Sequence, residues 1–160
     1  HNQMVAFKMK NPTEQLVLNE FKRKYPDITI LRGSDIPNVQ WVVENIPNER
    51  ILILNVQNTE LPKTELDNYK TIEFCYINNG VVTWIDSQYL RKPSSLNAIL
   101  LDKIYDTKHC ADSYIFVIEG DGYTETVYKK YNMHIKGLEY LVEKKEKVKV
   151  LRMESLFNQI

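Results

Sequence analysis

An acid inside an apolar strand is the first feature that asks for an explanation in this chain. Glu73 lies in a β-rich run, Thr71 to Ile77, and a second such run, Val81 to Asp86, follows the turn residues Asn78-Asn79-Gly80. Side chains alternate across a strand. Glu73, Cys75 and Ile77 therefore share one face of the first run, and Val82, Trp84, Asp86 and Gln88 share one face of the second. If Glu73, Asp86 and Gln88 converge, two carboxylates and an amide oxygen form a hard-oxygen site. Such a set suits Mg2+, which keeps several waters and takes one or two carboxylates. The same residues admit a plainer reading, in which Glu73 sits on the solvent face of an edge hairpin and Asp86 to Gln88 terminate their strand.

A second constellation is basic and aromatic. Tyr123, Tyr128, Tyr131 and Tyr140 mix with Lys129, Lys130 and Lys136, and Lys144, Lys145, Lys147 and Lys149 extend the run. Lysines of this kind contact phosphates while tyrosines stack bases; the alternative is a solvated helix face with the rings lying under lysine stems. Gly120-Asp121-Gly122 either cradles an anion at the start of a helix or makes a tight strand-to-helix turn. It falls short of a dinucleotide fingerprint, and its acids repel phosphate. His109 and Cys110 are adjacent, and adjacent residues rarely face one target, so they do not read as a nucleophile and its base.

These residues need a frame. Thr13 opens a helix as its cap, with Leu16, Val17, Glu20 and Phe21 at helical spacing, and Tyr25-Pro26 ends it. Ile28 to Leu31 is a short apolar run of strand type. A second amphipathic stretch begins at Ser34 or Asp35 with Pro37 in its first turn, carries Val39, Trp41, Val42, Val43 and Ile46, and stops at Pro47. Ile51 to Val56 is apolar on both faces and reads as a buried strand. Asn79-Gly80 suits the positive φ values of a type I′ hairpin turn. Pro93-Ser94-Ser95 precedes a helix with Leu96, Ile99, Leu100 and Ile104 on one face. Ser113 to Ile118 is a buried strand, Thr124 to about Lys145 is one helix or two helices broken near Gly137, Lys147 to Leu151 is a strand, and Glu154 to Ile160 can form a terminal helical turn. The sum is a mixed α/β domain: a central mixed sheet with an antiparallel hairpin, then a βαβ-type crossover, with helices on both faces.

Composition bounds the function. The 160 residues fit one domain, with residues 1–10 expected to be a flexible or tag-derived N-terminus. Hydrophobic residues at 43% and charged residues at 26% exclude a disordered or collagen-like chain. Twenty-one Lys and Arg balance 21 Asp and Glu, so nucleic-acid binding needs a local cluster rather than a global field. Cys75 and Cys110 match no metal spacing and read as free thiols, which points to a cytoplasmic protein. No apolar run approaches the ~20 residues of a membrane span, and no membrane partner is expected.

The αβββαβ-like order resembles the core of the PD-(D/E)XK, or restriction-endonuclease-like, nucleases. In that family an acid on the second core strand and an acid-x-Lys on the third hold the metal. Glu73 stands where the first acid would be, and Asp86-Ser87-Gln88 stands 13 residues on, where the acid-x-Lys would be. The segments Tyr114 to Gly122 and Lys147 to Leu151 are similar to the closing strand-helix-strand of some restriction enzymes. The resemblance implies Mg2+-dependent phosphodiester hydrolysis, DNA being favoured, with Glu73 and Asp86 as metal ligands and Gln88 beside them. Beside it, the basic run itself carries the expectation of a nucleic-acid backbone contact through Lys129, Lys130, Lys144, Lys145 and Lys147. Gln88 departs from the family, because a neutral amide cannot supply the lysine's charge; Lys92, or Arg91, would have to reach back in its place. The rival expectation is a non-catalytic protein-interaction or regulatory module of a larger assembly. The missing lysine and zero net charge favour the module. Element order and the face shared by Asp86 and Gln88 favour the nuclease.

Overall fold

The computed structural model describes residues 12–54, 74–93, 110–136 and 148–160. Helix α1 runs Pro12–Lys24. Proline is tolerated in a first turn because it lacks an amide that would be unsatisfied there. Glu14 near the start and Lys22, Arg23 and Lys24 at the end complement the helix dipole. Val17, Leu18 and Phe21 form its buried stripe. Thr13 is inside the first turn rather than capping it, and its hydroxyl bonds elsewhere, as described below.

Strand β1, Thr29–Arg32, matches the short run expected there and pairs in parallel with β2, Ile51–Leu54. The stretch between them departs from expectation. Gly33–Asp35 is a single 3-10 turn, and α2 spans only Val39–Asn45. Pro37 stays outside the helix because Asn38 caps it: the Asn38 Oδ1 accepts from the Trp41 amide at 2.8 Å. β2 is buried on both faces and pairs antiparallel with β3, Phe74–Asn78. β3 turns at Asn79 (φ 52°) and Gly80 (φ 77°) into β4, Val81–Tyr89. Both central residues have positive φ, as the type I′ expectation requires.

β4 then pairs in parallel with β5, Ser113–Glu119, and β5 with β6, Val148–Leu151. Helix α3, Glu125–Lys136, lies between these last two strands in the chain, and a 3-10 segment, Met153–Asn158, closes it. The sheet order is β1 to β6 in sequence, a six-stranded mixed sheet. The helix expected after Pro93 and the end of the one expected to reach Lys145 lie outside the described residues.

Each sheet face has its own core. On one, Val39, Val42 and Val127 from α2 and α3 cover Ile51, Ile53, Cys75, Val82, Trp84 and Phe116. On the other, α1 and Leu156 cover Leu52, Phe74, Tyr76, Ile85, Ile115 and Val117. Aromatic rings reinforce the second. Phe21 meets Tyr76 and Phe157 at 5.1 Å, and Tyr25 stacks parallel to Tyr76 at 6.3 Å. The Arg50 guanidinium lies 3.9 Å from the Tyr25 ring centre and donates to the Tyr76 hydroxyl. No described helix is long and apolar enough to cross a membrane.

Candidate metal and nucleic-acid site on strand β4

The hairpin that carries the candidate site is central, because β2 flanks β3 and β5 flanks β4. β4 also continues past Asp86 to Tyr89, with Asp86 paired to Phe116, Gln88 to Ile118 and Tyr89 to Glu119. The reading in which the hairpin forms the sheet edge and Asp86 to Gln88 end their strand is therefore incorrect. Parallel pairing with β5 holds the polar residues in the ladder where the hydrophobic pattern alone would stop.

Asp86 follows Val82 and Trp84 on one face of β4 and is only 4% exposed. Gln88, two residues on, is half-buried. Ser87 points to the opposite face and is buried, with no hydrogen-bond partner for its Oγ among the described residues. Glu73 immediately precedes Phe74 and lies outside the described residues. A burial of this degree is uncommon for a carboxylate, which loses hydration that only close polar partners replace.

Sequence reasoning missed the neighbour that α1 supplies. The Thr13 hydroxyl donates to the Gln88 carbonyl oxygen at 2.9 Å across 75 residues of chain. This fastens the first turn of α1 to the exit of β4. Thr13 is fully buried, and Glu14, beside it, is 3% exposed. An acid in a first helical turn is favoured by the dipole, which is the only signal the sequence held for it.

Beyond Tyr89 the chain leads to Arg91 and Lys92, both exposed, with the Arg91 guanidinium 5.7 Å from the Tyr89 ring centre. Lys92 thus lies just past the carboxyl end of β4. The Gly120-Asp121-Gly122 segment is a tight turn packed against this stretch: the Leu90 amide donates to the Glu119 carbonyl, and the Gly122 amide to the Leu90 carbonyl, each at 2.8 Å. Glu119 is a brace. Its carboxylate accepts from Arg152 Nη1 at 3.1 Å and from the Met153 amide at 2.7 Å.

Lys129 and Lys130 are exposed on α3, and Lys129 faces Glu125 at 3.5 Å. An ion pair this exposed adds little stability and leaves the lysine accessible. Lys144, Lys145 and Lys147 lie outside the described residues. The tyrosines divide: Tyr123 is buried and Tyr128 is 46% exposed. His109 is likewise outside, while the Cys110 carbonyl accepts from Trp84 Nε1 at 3.2 Å. Neither Cys75 nor Cys110 is in a disulfide.

The chain therefore brings Asp86 and Gln88 to one face of β4, Lys92 to its exit, and Thr13 and Glu14 to its end. Among the described residues no three His, Cys, Asp or Glu side chains gather as a metal site. Mg2+ needs fewer, and the Asp86 carboxylate and Gln88 amide are hard-oxygen donors of the type it takes. No protein-family model matches the chain, and neither a curated protein nor a solved structure matches it.

Proposed function

We propose that this protein is a nuclease-like domain of the PD-(D/E)XK type that hydrolyses phosphodiester bonds, with DNA as the favoured substrate and Mg2+ as its cofactor. The observation that carries the reading is Asp86, a carboxylate almost without exposure in a central strand. The hairpin adds to it: Phe74 pairs with Ile85 and Cys75 with Trp84, and Trp84 shares its face of β4 with Asp86. In this reading Glu73 and Asp86 hold the metal, Gln88 orients water through its amide, and Lys92 faces the negative charge that develops on the phosphate. Bound Mg2+ supplies Lewis-acid polarisation of a phosphoryl oxygen. The water oxygen bonds to phosphorus, the bond to the leaving sugar oxygen breaks, that oxygen takes up a proton, and the water's proton passes to solvent.

Gln88 in the lysine's place supports the rival, a non-catalytic interaction or regulatory module in a larger assembly. One experiment separates the two. The purified chain should nick plasmid DNA in Mg2+ and not in EDTA, and Asp86→Ala should abolish nicking; full activity in that variant, or none in the parent, rejects the nuclease reading.

A further inference from the structure

The turn after β5 is shaped around the chain that leaves β4. Gly120 has φ +102°, and a Cβ there would stand 2.2 Å from the Leu90 carbonyl oxygen. A Cβ on Gly122 would stand 2.4 Å from both the carbonyl carbon and the carbonyl oxygen of Lys92. Only glycine permits approach this close. The two backbone hydrogen bonds at Leu90 fasten the contact, and the Arg152 clasp on Glu119 fixes the turn from the other side. Arg152 Nη2 also donates to the Tyr123 carbonyl at 2.9 Å.

The residues carried by this fastened strap, Arg91 and Lys92, are exposed, and neither forms an ion pair among the described residues. With Glu119 engaged by Arg152, the strap and turn present two cations against one exposed carboxylate, Asp121. They do so beyond the carboxyl ends of β4 and β5, the side on which open α/β sheets bind ligands. Cations on a held backbone lose less freedom on meeting an anion than cations on a loose loop.

We propose that Leu90–Lys92 is a phosphate clamp: Arg91 and Lys92 grip neighbouring phosphates of a DNA strand crossing the exit of β4, and Gly120 and Gly122 are positioning residues that hold the clamp. The proposal rests on the phosphodiesterase reading, since it names how that site would seat its substrate. It is tested with a labelled DNA duplex in EDTA, where binding is read without cleavage. The Arg91→Gln/Lys92→Gln double variant should bind about tenfold more weakly, and its log-log salt slope should shrink by about 1.8, two phosphate contacts' worth. Gly122→Ala, which keeps both cations but displaces Lys92, should shrink the slope in the same sense; a purely structural role for the glycine would leave the slope unchanged. Wild-type affinity and slope in the double variant, or no duplex binding by the parent chain, overturns the clamp. Strap-dependent binding without Mg2+-dependent cleavage keeps the clamp and rejects the hydrolase.

Discussion

The Tyr76 hydroxyl is buried against α1 and accepts from Arg50, whose guanidinium rests on Tyr25. Burial pushes the phenol above its ordinary range, and it outweighs the hydrogen bond and charge of Arg50, which pull the other way. A raised pKa in the folded state means that the folded chain holds this proton more tightly. The associated stability is complete below the unfolded value near 10 and is lost as pH rises through the folded one. Tyr76→Phe should therefore destabilise by about 1 kcal/mol at pH 7, the net worth of one hydrogen bond. Its deficit against the parent should narrow above about pH 10. Urea midpoints at pH 7, 9 and 10.5 measure this, and a deficit that stays constant or widens contradicts it. Thr13→Val removes the bond to the Gln88 carbonyl with little change of shape and should cost about 1 kcal/mol in the same assay; no loss would mean that α1 is held by its apolar stripe alone. Neither contact was legible from local pattern, because each joins residues far apart in the chain, 26 for Arg50 and Tyr76 and 75 for Thr13 and Gln88. Asp86 and Gln88 were legible as a pair, since strand alternation is local.

Turns and strands divide in the same way. The hairpin was readable because Asn79-Gly80 encodes positive φ by residue type. The true length of β4 was not, because its last residues owe their place to β5, thirty residues further on. The turn after β5 was readable only as rich in glycine; that Gly120 answers to Leu90 needed the fold. The two glycines then make contrasting predictions. Gly80 has positive φ and open space around it, so Gly80→Ala carries only conformational strain of about 1 kcal/mol. Gly120 has positive φ and a carbonyl in the way, so Gly120→Ala adds overpacking to strain and should cost about 3 kcal/mol or more. Thermal or urea unfolding of the two variants side by side decides it. Equal losses would mean that the turn moves aside freely, which would also weaken the case for a held strap.

Over the whole molecule, the sheet runs in chain order with the candidate site on a strand bonded on both sides. The mixed α/β class followed from alternating patterns along the sequence, whereas the order of strands depended on parallel pairings that no local signal announces. β2 and the middles of β3, β4 and β5 are buried and lie under both cores, while every residue of β1 is half-buried and β1 has one described neighbour. Stability should be distributed accordingly, since local opening follows burial and bonding. Native-state hydrogen exchange should find the central amides of β3, β4 and β5 opening only with global unfolding, and those of β1 exchanging at least about tenfold faster through a smaller opening. Equal protection across β1 and β4 would show instead that the sheet opens as one unit. The distinction bears on the proposed chemistry: a carboxylate on a strand bonded on both sides would be held in place before substrate arrives, so the electrostatic stabilisation asked of the proposed site would need no rearrangement of β4 itself.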